Sequence, residues 1–184
     1  LRTPVGKAPR GTLRQTRPDD LGAIVLRGLL ERVDGLDPER IGDVILGCAM
    51  PEGEQGMNVG RNVALLAGLP DSVPGMTVNR FCSSGLETIH YGAMEIATGQ
   101  SDVVVAGGTE SMSLVPMGGL RYLPSPAFLA EDPETVLGMG LTAERLAESD
   151  GISREAQDEF AYQSHRKAVA ALREGRFADE TVLV

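Results

Sequence analysis

Apolar and polar residues follow one another along the chain in a pattern that predicts helices alternating with short buried strands. Residues Pro18 to Val33 have the spacing of an amphipathic helix, with two acidic residues in the first turn. A short strand starting at Gly75, a helix after it and an aliphatic run at 102–106 form a strand–helix–strand unit. Because strands joined in this way run parallel, the predicted fold class is α/β with a parallel sheet. The same patterns predict a strand at 43–48, helices at 62–67, from Cys82 to Ile96, at 142–149 and at 153–174, and the beginning of a strand at 181–184.

Glycine and proline mark the irregular parts of the chain. The glycines between 53 and 60 lack the spacing of a phosphate-binding loop, so ordinary turns are expected there. Gly107–Gly108 predicts a tight turn after the strand at 102–106. Residues 112–140 are rich in Met, Gly and Pro and show little periodicity, which predicts a long irregular excursion, and loops of that length are usually functional or mobile.

Cys82 is the strongest candidate for chemistry, because it lies where a strand runs into a helix. Unpaired N–H groups and the helix dipole at such a junction favour the thiolate, the nucleophilic form of cysteine. Ligands of parallel sheets bind at the carboxyl ends of the strands, where this junction is predicted. Two interpretations stay open from the residues alone: a nucleophile for covalent acyl chemistry, or an inert buried thiol. Cys48, which ends the run at 43–48, is interpreted as a buried, inert residue.

Acyl transfer by a cysteine needs a base nearby, and the chain contains two histidines. His90 lies eight residues beyond Cys82 on the same predicted helix, about 12 Å along its axis, so it is interpreted as a packed helix residue. His165 lies among polar residues of the C-terminal helix, which favours the surface. The base is therefore expected outside these residues if Cys82 is a nucleophile.

Composition narrows the class of protein. The chain has 184 residues, a net charge of -9 and two cysteines. The charge argues against nucleic acid and anionic membranes as partners. Two distant cysteines predict neither a disulfide framework nor a zinc site, which favours a reducing, cytoplasmic compartment. No run approaches the ~20 apolar residues of a membrane span, and the first residues do not resemble a signal peptide. The first residue is not Met, so a preceding segment is expected.

The sequence resembles the N-terminal half of the thiolases, which cleave or form 3-ketoacyl-CoA. The matching segments occur in the family's order and together span nearly the whole chain, so the resemblance is specific. They are 2–7 (RTPVGK), 43–47 (DVILG), 79–86 (NRFCSSGL), 106–113 (AGGTESMS), 139–144 (MGLTAE) and 151–158 (GISREAQD).

The resemblance implies roles for particular residues. Cys82 resembles the nucleophile, which attacks the 3-keto carbon and holds the acyl group as a thioester until coenzyme A takes it. The Cys82 backbone N–H would form half of an oxyanion hole. Met139 resembles the methionine that lines the pantetheine and acyl pocket. Asn79, which precedes the nucleophile, is expected to fix local structure. Glu110 is also expected to be structural, since a carboxylate beside a thiolate would oppose its ionisation. Coenzyme A enters as a substrate, and no covalently bound cofactor or metal is expected.

The resemblance also implies an architecture. Thiolases pack two similar α/β halves in five layers, αβαβα. Residues 1–111 would be the N-terminal α/β half and 112–184 part of the inserted loop domain. A homodimer or homotetramer is expected, with residues 75–80 pairing across the dimer. The Gly-His-Pro histidine, the Asn-Glu-Ala segment and the second active-site cysteine of the family's C-terminal half do not occur here, so a fragment of a thiolase is expected.

Several functions share this sequence pattern. Residues 80–84 and the stretch from Tyr122 to Leu129 are closer to degradative 3-ketoacyl-CoA thiolases, which favours fatty acid β-oxidation. The alternatives are a biosynthetic acetoacetyl-CoA thiolase and a non-catalytic thiolase-like protein that binds acyl-CoA or lipid. Ketosynthases share the fold but differ in the surrounding motifs.

Overall fold

A computed structural model describes all residues from 1 to 184. The chain forms two compact units, residues 1–120 with 181–184, and residues 121–180. Three strands lie in the first unit, β1 (Ile41–Gly47), β2 (Gly75–Val78) and β3 (Val103–Gly108). The helices are α1 (Pro18–Leu30), α2 (Val59–Leu66), α3 (Ser84–Ala97), α4 (Pro126–Glu131), α5 (Met139–Ser149) and α6 (Arg154–Arg173).

The sheet has the order β2-β1-β3, and both pairs of neighbouring strands are parallel. Val44 of β1 lies opposite Gly75 on one side and Val105 on the other. The prediction of an α/β fold with a parallel sheet is therefore confirmed. Since β1 lies between β2 and β3, the carboxyl ends of all three strands meet at one edge, where ligands of such sheets bind.

Alternate side chains of β1 contact helices on opposite faces of the sheet. Val44 and Leu46 belong to the main hydrophobic core, together with residues of α1 and α2. Gly47 faces the other way, towards the first residue of α3, and a Cβ at Gly47 would lie 2.6 Å from the Ser84 carbonyl carbon. The first unit thus has helices on both faces, as right-handed crossovers require.

Glycine permits two close approaches of backbone in this unit. At Gly47 the start of α3 lies directly on β1. At Gly60 in α2, a Cβ would lie 2.7 Å from the Met76 carbonyl carbon of β2. Real Cβ atoms essentially never come within 3.0 Å of other nonbonded heavy atoms. Only glycine therefore allows the helix and the sheet to pack this closely at both positions.

The buried and exposed faces of two helices differ from the sequence pattern. In α1, Ala23 and Leu26 are buried, whereas Leu21 and Val25 are only partly covered. In α3, the buried residues are Ser84, Glu87, Thr88 and Gly92, and the apolar residues Leu86, Ile89 and Ile96 are 70, 58 and 51% exposed. Helical periodicity identifies the apolar stripe correctly, but not which face of α3 the sheet covers.

The second unit consists of helices α4 to α6, none of which contains a buried residue. The predicted cap of the last helix is confirmed, because the Ser153 side chain accepts a hydrogen bond from the Ala156 N–H at 3.2 Å. Gly175 ends that helix region with φ of 68°. Helix α4 lies inside the stretch 112–140, which was expected to be irregular throughout.

Other expectations differ from the structure in detail. Gly107 and Gly108 are the last residues of β3 instead of a turn. The strand expected at 181–184 is a single parallel bridge between Thr181 and Arg2. The first compact unit includes residues up to 120, among them the fully buried Val115. No helix combines the length and the apolar character that a membrane span requires.

Candidate active site

Cys82 lies on a single 3-10 turn (Phe81–Ser83) that joins the carboxyl end of β2 to the start of α3. This is the predicted strand-to-helix junction, although α3 begins only at Ser84, two residues later than expected. The Cys82 side chain is exposed, which rules out the alternative of a buried thiol. The sulfur therefore lies at the surface of the first unit.

The residue before the cysteine has an unusual backbone conformation. Phe81 has φ of 46°, in the left-handed region that bulky residues rarely adopt. Such strain costs about 1–3 kcal/mol and persists only where the surrounding structure enforces it. The Phe81 side chain is 64% exposed, so its own packing does not enforce the turn.

Polar side chains hold the backbone of this turn. The Asn79 side-chain oxygen accepts a hydrogen bond from the Phe81 N–H at 2.9 Å. The Ser84 hydroxyl accepts one from the Arg80 N–H at 2.8 Å and donates one to the Phe81 carbonyl at 2.6 Å. Hydrogen bonds therefore enforce the strained conformation on both sides of Phe81.

An acidic residue of α3 lies close to the turn. Glu87 has a side chain only 11% exposed, and it forms an ion pair of 2.6 Å with Arg80. Its other oxygen lies 3.7 Å from Nδ1 of His90. The expectation that His90 is packed is wrong, because its side chain is 62% exposed. Helix α3 lies on the sheet through Thr88 and Gly92, which leaves His90 on the outer side.

A polar network ties the carboxyl ends of the three strands together. Ala49, just after β1, donates its N–H to Glu110 at 2.6 Å and accepts a hydrogen bond from the Asn79 amide at 2.9 Å. Glu110 follows β3 and Asn79 follows β2. Gln55, which is fully buried, donates to the Met50 carbonyl at 2.8 Å and to Glu110. It also accepts the Ser111 N–H at 2.9 Å.

The second cysteine is buried beside this network, as expected. Cys48 is 1% exposed, and its S–H group donates to Glu110 over 3.9 Å. Burial, together with the nearby negative charge of Glu110, raises the pKa of Cys48 to about 12. Cys48 therefore stays a neutral thiol at physiological pH and is no candidate nucleophile.

The remaining residues singled out in the sequence lie in the second unit. Met139 is the first residue of α5 and is 58% exposed. His165 is exposed on α6, in agreement with the predicted surface position. An open groove of ≈ 580 Å³ lies within this unit, and its apolar lining includes Leu137, Leu141 and Ile152. Met139 does not line it.

Sequence reasoning missed Gln55 and the part played by Ser84. Gln55 stands in a loop without periodicity and contacts residues more than fifty positions away, so no local pattern identifies it. A signal for Ser84 did exist, since a serine just after a strand-to-helix turn commonly hydrogen-bonds nearby backbone groups.

These observations define an α/β protein with a parallel sheet and an exposed cysteine on a strained turn at the carboxyl edge of that sheet. The comparisons give the family. The sequence model described as "Thiolase, N-terminal domain" matches residues 1–184, and the chain belongs to the thiolase family.

Curated relatives agree with this assignment. Over 183 residues the chain is 53% identical to the 3-ketoacyl-CoA thiolase of Bacillus subtilis (strain 168), covering 100% of this chain and 46% of that protein. It is 48% identical over 181 residues to the 3-ketoacyl-CoA thiolase of Pseudoalteromonas translucida (strain TAC 125), covering 98% and 46%. It thus spans about half the length of the curated relatives it matches.

Proposed function

We propose that the chain is the nucleophile-bearing part of a thiolase that cleaves 3-ketoacyl-CoA with coenzyme A. The observation that carries this proposal is the exposed sulfur of Cys82 on its strained turn after β2. The names of the curated relatives support the substrate class. The products are acetyl-CoA and an acyl-CoA shortened by two carbons.

In this reaction the Cys82 thiolate adds to the C3 carbonyl of the substrate, and the carbonyl π electrons move to oxygen. Collapse of the alkoxide breaks the C2–C3 bond, and acetyl-CoA leaves as an enolate that takes up a proton. The thiolate of a second coenzyme A then attacks the Cys82 thioester. That step breaks the bond to Cys82 and releases the shortened acyl-CoA with the enzyme thiolate restored.

The backbone around Cys82 supplies a donor for the alkoxide. The Cys82 N–H makes no hydrogen bond within the chain, so it is available to an oxyanion. The Cys82 sulfur has no hydrogen bond to either histidine, so a base from elsewhere is required. We therefore expect residues 1–184 on their own to give no thiolysis, and measurable turnover by them would contradict this.

We further propose a degradative enzyme of fatty acid β-oxidation in the cytoplasm, with Met139 lining the acyl pocket and residues 112–184 contributing to the loop domain. The alternative is a biosynthetic acetoacetyl-CoA thiolase. Rates of the complete protein on acetoacetyl-CoA and on longer 3-ketoacyl-CoA substrates distinguish them. A higher kcat/KM on the longer substrates is expected, and a preference for acetoacetyl-CoA would favour the alternative.

We also propose a homodimer or homotetramer that pairs through β2. In support, β2 is an outer strand of the sheet and hydrogen-bonds to β1 on one side only. A strand of this kind presents unpaired N–H and C=O groups to another chain. Monomeric behaviour of the complete protein in analytical ultracentrifugation would contradict this assembly.

Mass spectrometry of the intact complete protein tests the central claim. Incubation with a 3-ketoacyl-CoA without free coenzyme A should add one acyl group, and peptide mapping should place it on Cys82. Cys82→Ser should form no thioester, whereas Cys48→Ala should be acylated like the wild type. An unmodified wild type, or an adduct that persists in Cys82→Ser, would refute the proposed function.

A further inference from the structure

The peptide between Phe81 and Cys82 carries the N–H group that the proposed reaction uses to bind the alkoxide. A peptide unit is planar, so the direction of its C=O fixes the direction of its N–H. The Phe81 carbonyl accepts hydrogen bonds from both the hydroxyl, at 2.6 Å, and the backbone N–H of Ser84. One residue therefore sets the plane that contains the Cys82 N–H.

The same hydroxyl also holds the other side of the turn. It accepts the Arg80 N–H at 2.8 Å, so it bridges the backbone from the residue before Phe81 to the peptide after it. Asn79 accepts the Phe81 N–H in between. Because Phe81 has φ of 46° and an exposed side chain, loss of this bridge would let the turn relax to an ordinary conformation.

The position of Ser84 makes the bridge effective. Ser84 is 3% exposed, because the start of α3 lies directly on Gly47 of β1. Its hydroxyl is thus shielded from water, which would otherwise compete for both hydrogen bonds. Both groups that hydrogen-bond to the Ser84 hydroxyl belong to the backbone. The hydroxyl therefore acts on the conformation of the turn and not on a side chain.

We propose that Ser84 is a positioning residue for acyl transfer, which aims the Cys82 N–H at the oxyanion by holding the Phe81–Cys82 peptide and tying it to the N–H of Arg80 on the other side of the turn. This inference rests on the proposed function. Ser84 touches no substrate atom in this role and acts only through the backbone of the turn.

The test compares two reactions of Cys82 in the complete protein. Acylation by acetoacetyl-CoA creates an oxyanion, whereas alkylation by iodoacetamide displaces iodide and creates none. Removing an oxyanion donor lowers rates about 10²–10³-fold. Ser84→Ala should therefore slow acylation at least ~100-fold and change alkylation less than ~3-fold, since only acylation uses that donor.

Ser83→Ala is the matched control. The Ser83 hydroxyl donates at 3.0 Å to the Arg80 carbonyl, which the Ser83 N–H already reaches at 3.1 Å, so its loss should leave both rates nearly unchanged. If Ser84→Ala does not fold, Ser84→Gly takes its place, since it also lacks the hydroxyl and needs no more space beside Gly47.

The outcomes separate this inference from the function on which it rests. A wild type that is alkylated but never acylated refutes the proposed function, and the inference with it. If the wild type is acylated, two results for the variant without the hydroxyl overturn the inference alone: acylation within ~3-fold of wild type, or acylation and alkylation that fall in parallel. A parallel fall would mean that the hydroxyl merely supports the local fold.

Discussion

At the scale of single residues, the two cysteines show how environment decides reactivity. Cys82 is exposed on a turn, whereas Cys48 is buried beside Glu110, and burial raises the pKa of Cys48 to about 12. The thiolate is the reactive form of cysteine, and a thiol with so high a pKa remains protonated at pH 8. The same residue type is therefore exposed and available for reaction at position 82, but inert at position 48.

Thiol counting checks this contrast. At pH 8 the folded protein should release one fast equivalent of thionitrobenzoate from Ellman's reagent per 184-residue chain, and two after unfolding in guanidinium. Cys82→Ser should lose the fast equivalent, while Cys48→Ala should keep it. Two fast equivalents in the folded chain would show that Cys48 is accessible to solvent and not buried beside Glu110.

Gln55 is expected to carry more stability than any other uncharged polar side chain of the first unit. Gln55→Ala removes the partner of the Ser111 N–H and of the Met50 carbonyl and leaves a cavity, so it should lower the free energy of unfolding by roughly 2–4 kcal/mol. Gln100→Ala, at an exposed position, should change it by less than about 0.5 kcal/mol. Urea unfolding measures both, and similar values would contradict a structural role for the network.

At the scale of elements, the predicted helices and the three predicted strands of the sheet occur with ends that differ by a few residues, whereas the strand predicted at 181–184 is only a single bridge. The sequence patterns identify β1 and β3 as strands, because aliphatic runs of that length are typical of buried parallel strands. The sequence could not show that α3 turns its apolar stripe of Leu86, Ile89 and Ile96 away from the sheet. That choice depends on Gly47 and Thr88, which fit the sheet by shape and hydrogen bonding instead of by hydrophobicity.

The contact between β1 and α3 gives a prediction about two glycines. Gly47→Ala would place a Cβ 2.6 Å from backbone of α3, so the helix must shift and the free energy of unfolding should fall by about 1–3 kcal/mol. Gly85→Ala, one residue into α3 with open space around its Cβ, should instead raise it by about 0.5–1 kcal/mol through helix propensity. The urea midpoints of the two variants should shift in opposite directions from that of the wild type. A destabilised Gly85→Ala would show that the space beside Gly85 is not open.

At the scale of the whole molecule, the two units differ in what holds them together. The first has a core around β1 in which Val44 and Ile45 are fully buried, whereas residues 121–180 include no buried residue. Most helical stability in proteins comes from tertiary packing of an apolar face, and none of the three helices of the second unit contains a buried residue. The helices of the second unit therefore have little local stability of their own.

Hydrogen exchange tests this difference on the 184-residue chain. Amides of α6 should exchange at least ~100-fold faster than those of β1, because local opening needs less free energy where nothing is buried. Peptides covering 41–47 and 154–173, followed by mass spectrometry, give the comparison. Equal protection of the two elements would show that the second unit has a stabilising contact that its burial does not reveal.

The two close approaches at Gly47 and Gly60 also bear on how this gene can change. Each single-base substitution in a glycine codon that alters the amino acid gives Ala, Val, Ser, Cys, Asp, Glu, Arg or Trp. All of these carry a Cβ, for which neither position has room. Even alanine, the mildest of them by chemistry, is therefore harmful there. Every single-base missense substitution at either glycine is therefore expected to be harmful, and only synonymous changes of these two codons should be neutral.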